Sequence, residues 1–195
     1  MIDTLIQHRI RHEQKGIRKV IKKYFPDGTY TDPKILNFCC GLANEEPIIY
    51  DHFGDGTKLI SLDACGNAEK NTRYLGRKSF VRDTIQEFLK DTDDRFDIIM
   101  GRNVPLNPKY GPCDDRSDDP WPSVFHNMRT AFEQDGTLFL TLLREDEFKR
   151  CKEILSDDYN IKESKFNKIT VVSDKYGTAS EYKDHYIVMA EPIID

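Results

Sequence analysis

Two residues whose type and position suit binding chemistry stand at the ends of apolar runs. Gly41 closes the run at 34–40, and Asp63 closes the run at 58–62. Each run is typical of a buried strand, and the segment 44–50 between them is typical of the start of a helix. An acid about 20 residues after a glycine turn in an α/β unit is placed to accept hydrogen bonds from a ribose diol. The pair therefore indicates a nucleoside site; the alternative is that Asp63 caps the helix that follows it.

The turn after the first strand argues against a dinucleotide. Pyrophosphate binding needs several glycines and free backbone N–H groups at a helix start, whereas Cys39 and Ala43 stand at the other glycine positions around Gly41. Glu45-Glu46 fall in the first helical turn, where they would repel a pyrophosphate. An NAD-dependent oxidoreductase is therefore the weaker hypothesis. A cofactor without phosphate and with cationic groups fits better, and S-adenosylmethionine (SAM) is such a molecule.

Residues 35–43, ILNFCCGLA, resemble the first motif of class I SAM-dependent methyltransferases. The family has an acid where this chain has Asn37, and glycines where it has Cys39 and Ala43. Further landmarks follow in the family's order. They are Asp63 after strand two, residues 80–83 at strand three, 96–103 at strand four with the active-site turn, and 127–140 as helix, turn and strand five. The resemblance covers residues 33–191.

The resemblance implies a fold, a reaction and a site. The fold is an α/β three-layer sandwich around a mostly parallel, seven-stranded sheet whose last strand is antiparallel. The reaction is in-line displacement of the sulfonium methyl group of SAM, giving S-adenosylhomocysteine (SAH), which requires the protein mainly to align donor and acceptor. The residues placed at the cofactor are Asn37, Phe38, Cys39, Cys40, Gly41, Asp63, Ala64, Asp83, Thr84, Gly101 and Arg102.

Several roles stay open at this stage. Asp83 either contacts the adenine or caps the helix beginning near Thr84. No catalytic residue is assigned, because Asp97 is expected to be buried structure and His126 is the remaining candidate base. The departures at the first motif favour, as the alternative function, a non-catalytic module that binds SAM or a nucleoside and partners another protein.

The composition of the chain limits the hypotheses about its location, metal content and partners. The chain has 195 residues, a net charge of −5 and five cysteines at irregular spacing. One domain in a reducing cytoplasm is expected, without a membrane span or secretory signal. The acidic balance makes nucleic acid an unfavoured partner, so the acceptor is expected to be a small molecule or a protein, with the small molecule favoured. Cys39, Cys40 and Cys65 match no common zinc spacing, so no metal is expected.

The domain is expected to begin with an amphipathic helix within residues 1–30, ahead of the core at 33–191. Ile17, Val20, Ile21 and Tyr24 recur at the spacing of one helical face. Basic residues concentrate on the same segment. They form either a solvated face or a lid that contacts an anionic substrate.

The segment 104–122 is the longest irregular stretch and follows strand four, at the edge where ligands of open α/β sheets bind. It is expected to form a substrate-facing lid, against the alternative of a plain surface loop. Trp121 either stacks on a substrate ring or anchors the loop to the core. Asn103 precedes Val104-Pro105. Enzymes that methylate exocyclic amines of nucleic acids often have a second proline and an aromatic residue at this point, and this chain has neither. The substrate candidates are Asn103, Trp121 and His126.

Overall fold

Helices and strands alternate along the chain, as the apolar runs predict. The computed structural model describes residues 2–74, 76, 79–107, 119–166, 170–172, 179–181 and 186–194. The helices are α1 (Ile2–Tyr24), α2 (Glu46–Phe53), α3 (Gly66–Tyr74), α4 (Ile85–Asp91), α5 (Trp121–Met128) and α6 (Glu145–Leu155). The strands are β1 (Lys34–Phe38), β2 (Lys58–Leu62), β3 (Phe80–Val81), β4 (Phe96–Arg102), β5 (Phe132–Leu142), β6 (Tyr159–Phe166), β7 (Thr170–Val172), β8 (Ala179–Glu181) and β9 (Tyr186–Pro192).

Seven of the described strands form one sheet, in the order β3-β2-β1-β4-β5-β9-β6. The pairs from β3 through β5 are parallel, and β9 is antiparallel to both β5 and β6. The predicted seven-stranded, mostly parallel sheet with an antiparallel last strand is therefore confirmed. The β6–β9 hairpin makes this edge of the sheet, with β6 outermost, and β7 pairs with β8 in a separate ribbon.

The sheet is covered on both faces, which explains why its central strands are apolar throughout. Alternate residues of one strand point to opposite faces, so Ile35 packs towards α1 and α2 while Leu36 and Phe38 pack towards α4, α5 and α6. The two apolar clusters lie on either side of the sheet. This is the expected three-layer sandwich.

The first helix packs one face on the sheet and continues beyond it. Ile17, Val20, Ile21 and Tyr24 are buried in the cluster on that face, which confirms the predicted amphipathic helix. With 23 residues, α1 is about 35 Å long, whereas a five-residue strand such as β1 spans about 17 Å. The N-terminal half of α1 therefore extends past the carboxyl edge of the sheet.

Two predicted boundaries need correction. The helix expected at the start of 127–140 ends in a 3-10 turn at Ala131, and Phe132 already begins β5, ahead of the expected turn. Phe132 is buried and pairs with Phe96, so core packing takes it into the sheet. The predicted turn at Asp135-Gly136 lies within β5 as an irregularity, because Ile98 pairs with Thr137.

Other expectations fall partly outside the described residues. Of the segment 104–122, residues 108–118 lie outside them, so the predicted lid is not described. Residues 173–178, between β7 and β8, lie outside them as well. Among the described residues, no helix is both long and apolar enough to cross a membrane, and the cytoplasmic location stays a prediction.

A substitution at Gly101 in β4 tests how tightly the centre of the sheet is packed. A Cβ added there would lie 2.6 Å from Phe38 Cζ and 2.6 Å from Val104 Cγ2. We expect Gly101→Ala to lower the free energy of unfolding by about 1–3 kcal/mol, because overpacking forces neighbouring side chains off their preferred rotamers. Urea unfolding monitored by circular dichroism measures the change.

The matched control for this prediction is Phe38→Leu, alone and combined with Gly101→Ala. The smaller side chain relieves the clash, so the double variant should cost less than the sum of the two single changes. Additive costs would contradict the packing explanation.

Candidate functional site

The order of the strands reverses between β1 and β4, since β2 and β3 continue to one side and β5 continues to the other. In open α/β sheets, such a reversal leaves a crevice at the carboxyl ends of the two strands. Residues 39–44 follow β1 at this edge, and Arg102 and Asn103 end β4. The carboxyl edge at β1 and β4 is therefore the candidate site.

The backbone at this edge is unusual. Cys39, Ala43 and Asn103 all have positive φ angles, at 52°, 48° and 53°. A residue with a Cβ is costly in this region, at roughly 1–2 kcal/mol, and strained residues cluster at functional sites. Gly41 also has a positive φ, of 54°, and a Cβ placed on it would meet nothing within 4 Å. The turn therefore has open space above it, as close approach of a ligand requires.

Asp63 joins this turn to the end of β2. Its Oδ2 accepts a hydrogen bond from the Gly41 N–H at 2.8 Å, and its Oδ1 accepts one from the Cys65 N–H at 2.8 Å. The second bond lies directly before α3, so part of the helix-capping alternative is realised. An ionised carboxylate offers about four lone-pair positions, so each oxygen retains one for a further donor. The half-buried carboxylate is thus fixed in orientation and can accept hydrogen bonds from the two hydroxyl groups of a diol.

The next acid along the edge, Asp83, follows β3. Its Oδ1 accepts a hydrogen bond from the Thr84 N–H at 2.7 Å. The N-cap of α4 is Thr84, whose Oγ1 accepts a hydrogen bond from the Glu87 N–H at 3.2 Å. Asp83 is therefore not the cap, and it lies half-buried at the same edge as Asp63.

A cluster of charged side chains lies where β4 ends. Arg102 Nη1 donates to Glu45 Oε1 at 2.6 Å, and Nη2 donates to Glu13 Oε1. Glu13 Oε2 accepts a second hydrogen bond, from Asn44 Nδ2, at 2.7 Å. The Arg102 side chain is 13% exposed and that of Glu45 is 2% exposed. These four residues, Glu13, Asn44, Glu45 and Arg102, are called the edge network below.

Asn37 lies beneath the edge network, where the family has an acid. It is fully buried, and neither amide atom has a hydrogen-bond partner among the described residues. It lines a cavity of about 10 Å³ together with Glu45, Arg102 and Thr141. A space of that size holds one water molecule. A nucleoside cofactor must therefore lie above the edge and not beneath α1.

Two of the thiols at this edge, those of Cys39 and Cys40, have a raised pKa. Burial, with the charge of Asp63 as a second cause, raises the pKa of Cys39 to about 12. Burial also raises the pKa of Cys40, with Glu45 and Asp63 adding to the effect. Thiolates are the nucleophiles and metal ligands, so these two side chains act as small buried groups. The absence of a metal stays a prediction.

The structure brings most of the sequence-predicted cofactor residues together at this edge, but their side chains differ in access. Cys39, Asp63, Asp83 and Thr84 are half-buried, and Ala64 is exposed. In contrast, Phe38 is fully buried, and Gly101 packs directly against its ring.

His126 is not at the site. Helix α5 runs antiparallel to the strands, so its last turn lies at the opposite, amino edge. There His126 Nδ1 lies 3.0 Å from Asp158 Oδ2, just before β6 begins. Asp97 also lies at the amino edge, where its Oδ2 accepts the Lys34 N–H at 2.7 Å. Neither side chain is placed to act as a base on a ligand at the carboxyl edge.

Trp121 packs as an anchor. Its Nε1 donates to the Pro105 carbonyl oxygen at 3.0 Å, and its ring stacks on Phe125 with a centroid distance of 5.7 Å. These contacts favour the anchoring alternative over stacking on a substrate. Asn103 is at the site, with its backbone N–H donating to Thr141 Oγ1 at 3.1 Å and its side-chain Oδ1 buried.

Glu13 and Asn44 were missed by the sequence reasoning. A signal for Glu13 was present, because it falls on the same helical face as Ile10, Ile17 and Val20, which are buried. An acid on the apolar face of an otherwise basic helix requires a buried partner. The partner, Arg102, is 89 residues away in sequence, so the pairing could not be read from local pattern.

Several solved structures that superpose on this chain are methyltransferases. A precorrin-6y C5,15-methyltransferase from Geobacter metallireducens superposes with a TM-score of 0.68 at 14% identity, covering 89% of this chain and 85% of that one. A SAM-dependent O-methyltransferase from Thermotoga maritima gives 0.63 at 10% identity, over 91% and 65%. A magnesium protoporphyrin IX methyltransferase from Synechocystis, with bound SAM, gives 0.57 at 13% identity, over 92% and 79%.

These similarities confirm the resemblance at the level of fold: the chain has the class I methyltransferase fold. No family model matches the sequence, and no curated protein matches it. At 10–14% identity the comparisons carry no assignment of substrate or activity.

The reactivity of the cysteines tests which side chains at the candidate site are accessible to solvent. Cys65 is exposed, whereas Cys39 and Cys151 each have a pKa raised by burial to about 12. At pH 8 a thiol with such a pKa is ionised to about one part in ten thousand. We expect iodoacetamide to modify Cys65 well before Cys39, Cys40 and Cys151 in the native protein, as read by peptide mass spectrometry.

The control is the same reaction in concentrated urea, where these four cysteines should react at similar rates. Native labelling of Cys39 as fast as that of Cys65 would contradict the placement of the turn.

Proposed function

We propose that this protein is a SAM-dependent methyltransferase that transfers a methyl group to a small-molecule acceptor. The observation that carries the proposal is the position of Asp63. Its carboxylate is fixed by the Gly41 and Cys65 N–H groups at the strand-order reversal, beside a turn with open space above it. The fold shared with methyltransferases supports the proposal.

The residues present fit the nucleoside part of the cofactor. Asp63 would accept hydrogen bonds from the two ribose hydroxyl groups. It would use the lone pairs that are not occupied by the Gly41 and Cys65 N–H groups. Asp83, one strand further along the edge, would accept from the adenine amino group. Gly41 lets the backbone approach the cofactor, since a Cβ there would meet no heavy atom of the described residues within 4 Å.

The reaction needs little from the side chains. Bound SAM would supply the methyl group from its sulfonium, and SAH would leave as the neutral thioether when that carbon–sulfur bond breaks. Residues 39–44 and Arg102-Asn103 would hold the donor and exclude water at the crevice. Positioning of this kind is worth several kcal/mol of the barrier. No base is assigned, because Asp97 and His126 lie at the amino edge.

A second function, a non-catalytic SAM- or nucleoside-binding module, is favoured by one observation. Asn37 is buried, and its amide has no hydrogen-bond partner among the described residues, where the family has an acid. Cys39 and Ala43 also hold left-handed conformations that glycine would adopt without strain. Such a protein would bind the cofactor without transferring its methyl group.

Binding by titration calorimetry tests the proposal. We expect SAM and SAH to bind the wild-type protein and NAD not to bind. Asp63→Ala should weaken SAM binding by tenfold or more, because hydrogen bonds to a charged group contribute about 1.5–3 kcal/mol. The matched control is Asp55→Ala, since Asp55 is an exposed acid in the turn before β2, at the amino edge.

Thermal unfolding of both variants shows whether loss of the Gly41 bond has unfolded the turn. Failure of the folded wild-type protein to bind SAM and SAH would overturn the proposed function. Tight binding of SAM without transfer of a labelled methyl group to any acceptor in a metabolite extract would favour the binding module.

A further inference from the structure

The carboxylate of Glu13 is bound as a ligand carboxylate would be. One oxygen accepts from Arg102 Nη2 and the other accepts from Asn44 Nδ2 at 2.7 Å. Glu13 belongs to α1, whereas its two partners belong to the candidate site, after β4 and after β1. Two donors of the site thus converge on a carboxylate that comes from outside it.

The donors are rigidly placed. Arg102 is held from its other side by Glu45 at 2.6 Å, and the Glu45 side chain is almost fully buried. Asn44 is 4% exposed overall. A guanidinium presents its N–H groups in a planar fork that suits carboxylates, and a fixed fork loses little freedom on binding. The part of the edge network formed by Arg102 and Asn44 is therefore a preorganised carboxylate site.

The distance from Asp63 suits the cofactor. Asp63 follows β2 and Arg102 ends β4, with β1 between them. Neighbouring strands lie about 4.8 Å apart, so the two side chains belong to strands about 10 Å apart. An amino-acid arm attached at the ribose spans roughly that separation when the diol lies at Asp63. Glu45 Oε2 is buried and has no hydrogen-bond partner among the described residues, so it offers an acceptor for an ammonium group beside the carboxylate site.

We infer that Arg102 and Asn44 bind the carboxylate of the cofactor's amino-acid end, and that Glu13 occupies this position in the present structure. The inference rests on the proposed function and assigns the residues of its amino-acid subsite. Cofactor binding then displaces the Glu13 carboxylate from Arg102 and Asn44. Glu13 acts as an internal competitor that lowers affinity for ligands with a carboxylate.

Paired ligands test the inference. SAH carries the amino-acid end, whereas 5′-methylthioadenosine has the same nucleoside and lacks that end. We expect Glu13→Ala to bind SAH about tenfold more tightly than the wild-type protein, because the ligand carboxylate no longer competes with Glu13 for the charge-assisted hydrogen bonds of Arg102 and Asn44. Glu13→Gln, which keeps the shape and removes the charge, should bind SAH more tightly as well. Affinity for 5′-methylthioadenosine should not change in either variant.

Two further variants serve as controls. Asp51→Ala removes the exposed ion pair of α1 with α2, between Arg18 and Asp51 at 2.7 Å, without touching the edge network, and should leave both affinities unchanged. Asn44→Ala should weaken SAH and not 5′-methylthioadenosine. Thermal unfolding of each variant checks that it is folded at the temperature of the titration.

The outcomes separate this inference from the proposed function. Equal SAH affinity in the wild-type protein and Glu13→Ala, with binding intact, would overturn the inference alone. Weaker SAH binding by Glu13→Ala would place Glu13 on the ligand and would also overturn it. Absence of binding of both ligands by every folded variant would overturn the proposed function together with the inference.

Discussion

The parallel pairing of β1 with β4 is the contact on which the candidate site depends. It runs from Ile35 opposite Ile98 to Phe38 opposite Gly101, and it places the turn after β1 beside the end of β4. Because the connections continue to opposite sides from these two strands, a crevice is left at their carboxyl ends, and Glu13 of α1 reaches into it. The close approach of Phe38 to Gly101 fixes the register. Open space above Gly41 and the convergence of Glu45 on Arg102 both follow from this one pairing.

The edge holds features that a purely structural turn would avoid. Three residues with side chains adopt positive φ angles there, and the buried oxygens of Asn103 and Glu45 have no hydrogen-bond partner among the described residues. Each strained residue costs about 1–3 kcal/mol, and each unsatisfied buried polar atom costs a similar amount. The two apolar clusters on the faces of the sheet offset this cost. Three of the four non-glycine residues with positive φ angles in the described part of the chain lie at the strand-order reversal, which supports a binding role for it.

The fold could be predicted from local sequence patterns, whereas the candidate site could be predicted only in part. Strands β1 and β2 are short apolar runs closed by turn residues, so their ends, and with them Gly41 and Asp63, could be located from sequence. His126 was a candidate base and substrate residue, but the antiparallel direction of α5 carries it to the far edge. The pairing of Glu13 with Arg102 joins segments with no shared local pattern, so only the packing of α1 on the sheet reveals it.

The positions of the charged side chains at the edge favour a cofactor with cationic groups, which is the class that the sequence also favoured. The carboxylates of Asp63, Glu45 and Glu13 lie along the edge with the guanidinium of Arg102 among them. Three negative groups and one positive group leave the described edge network and Asp63 negative, which opposes a pyrophosphate and favours a ligand with cationic groups. Within that negative field, Arg102 and Asn44 form a local position for an anion. A cofactor that carries a sulfonium, an ammonium and a carboxylate matches both the overall sign and this exception, whereas a dinucleotide matches neither.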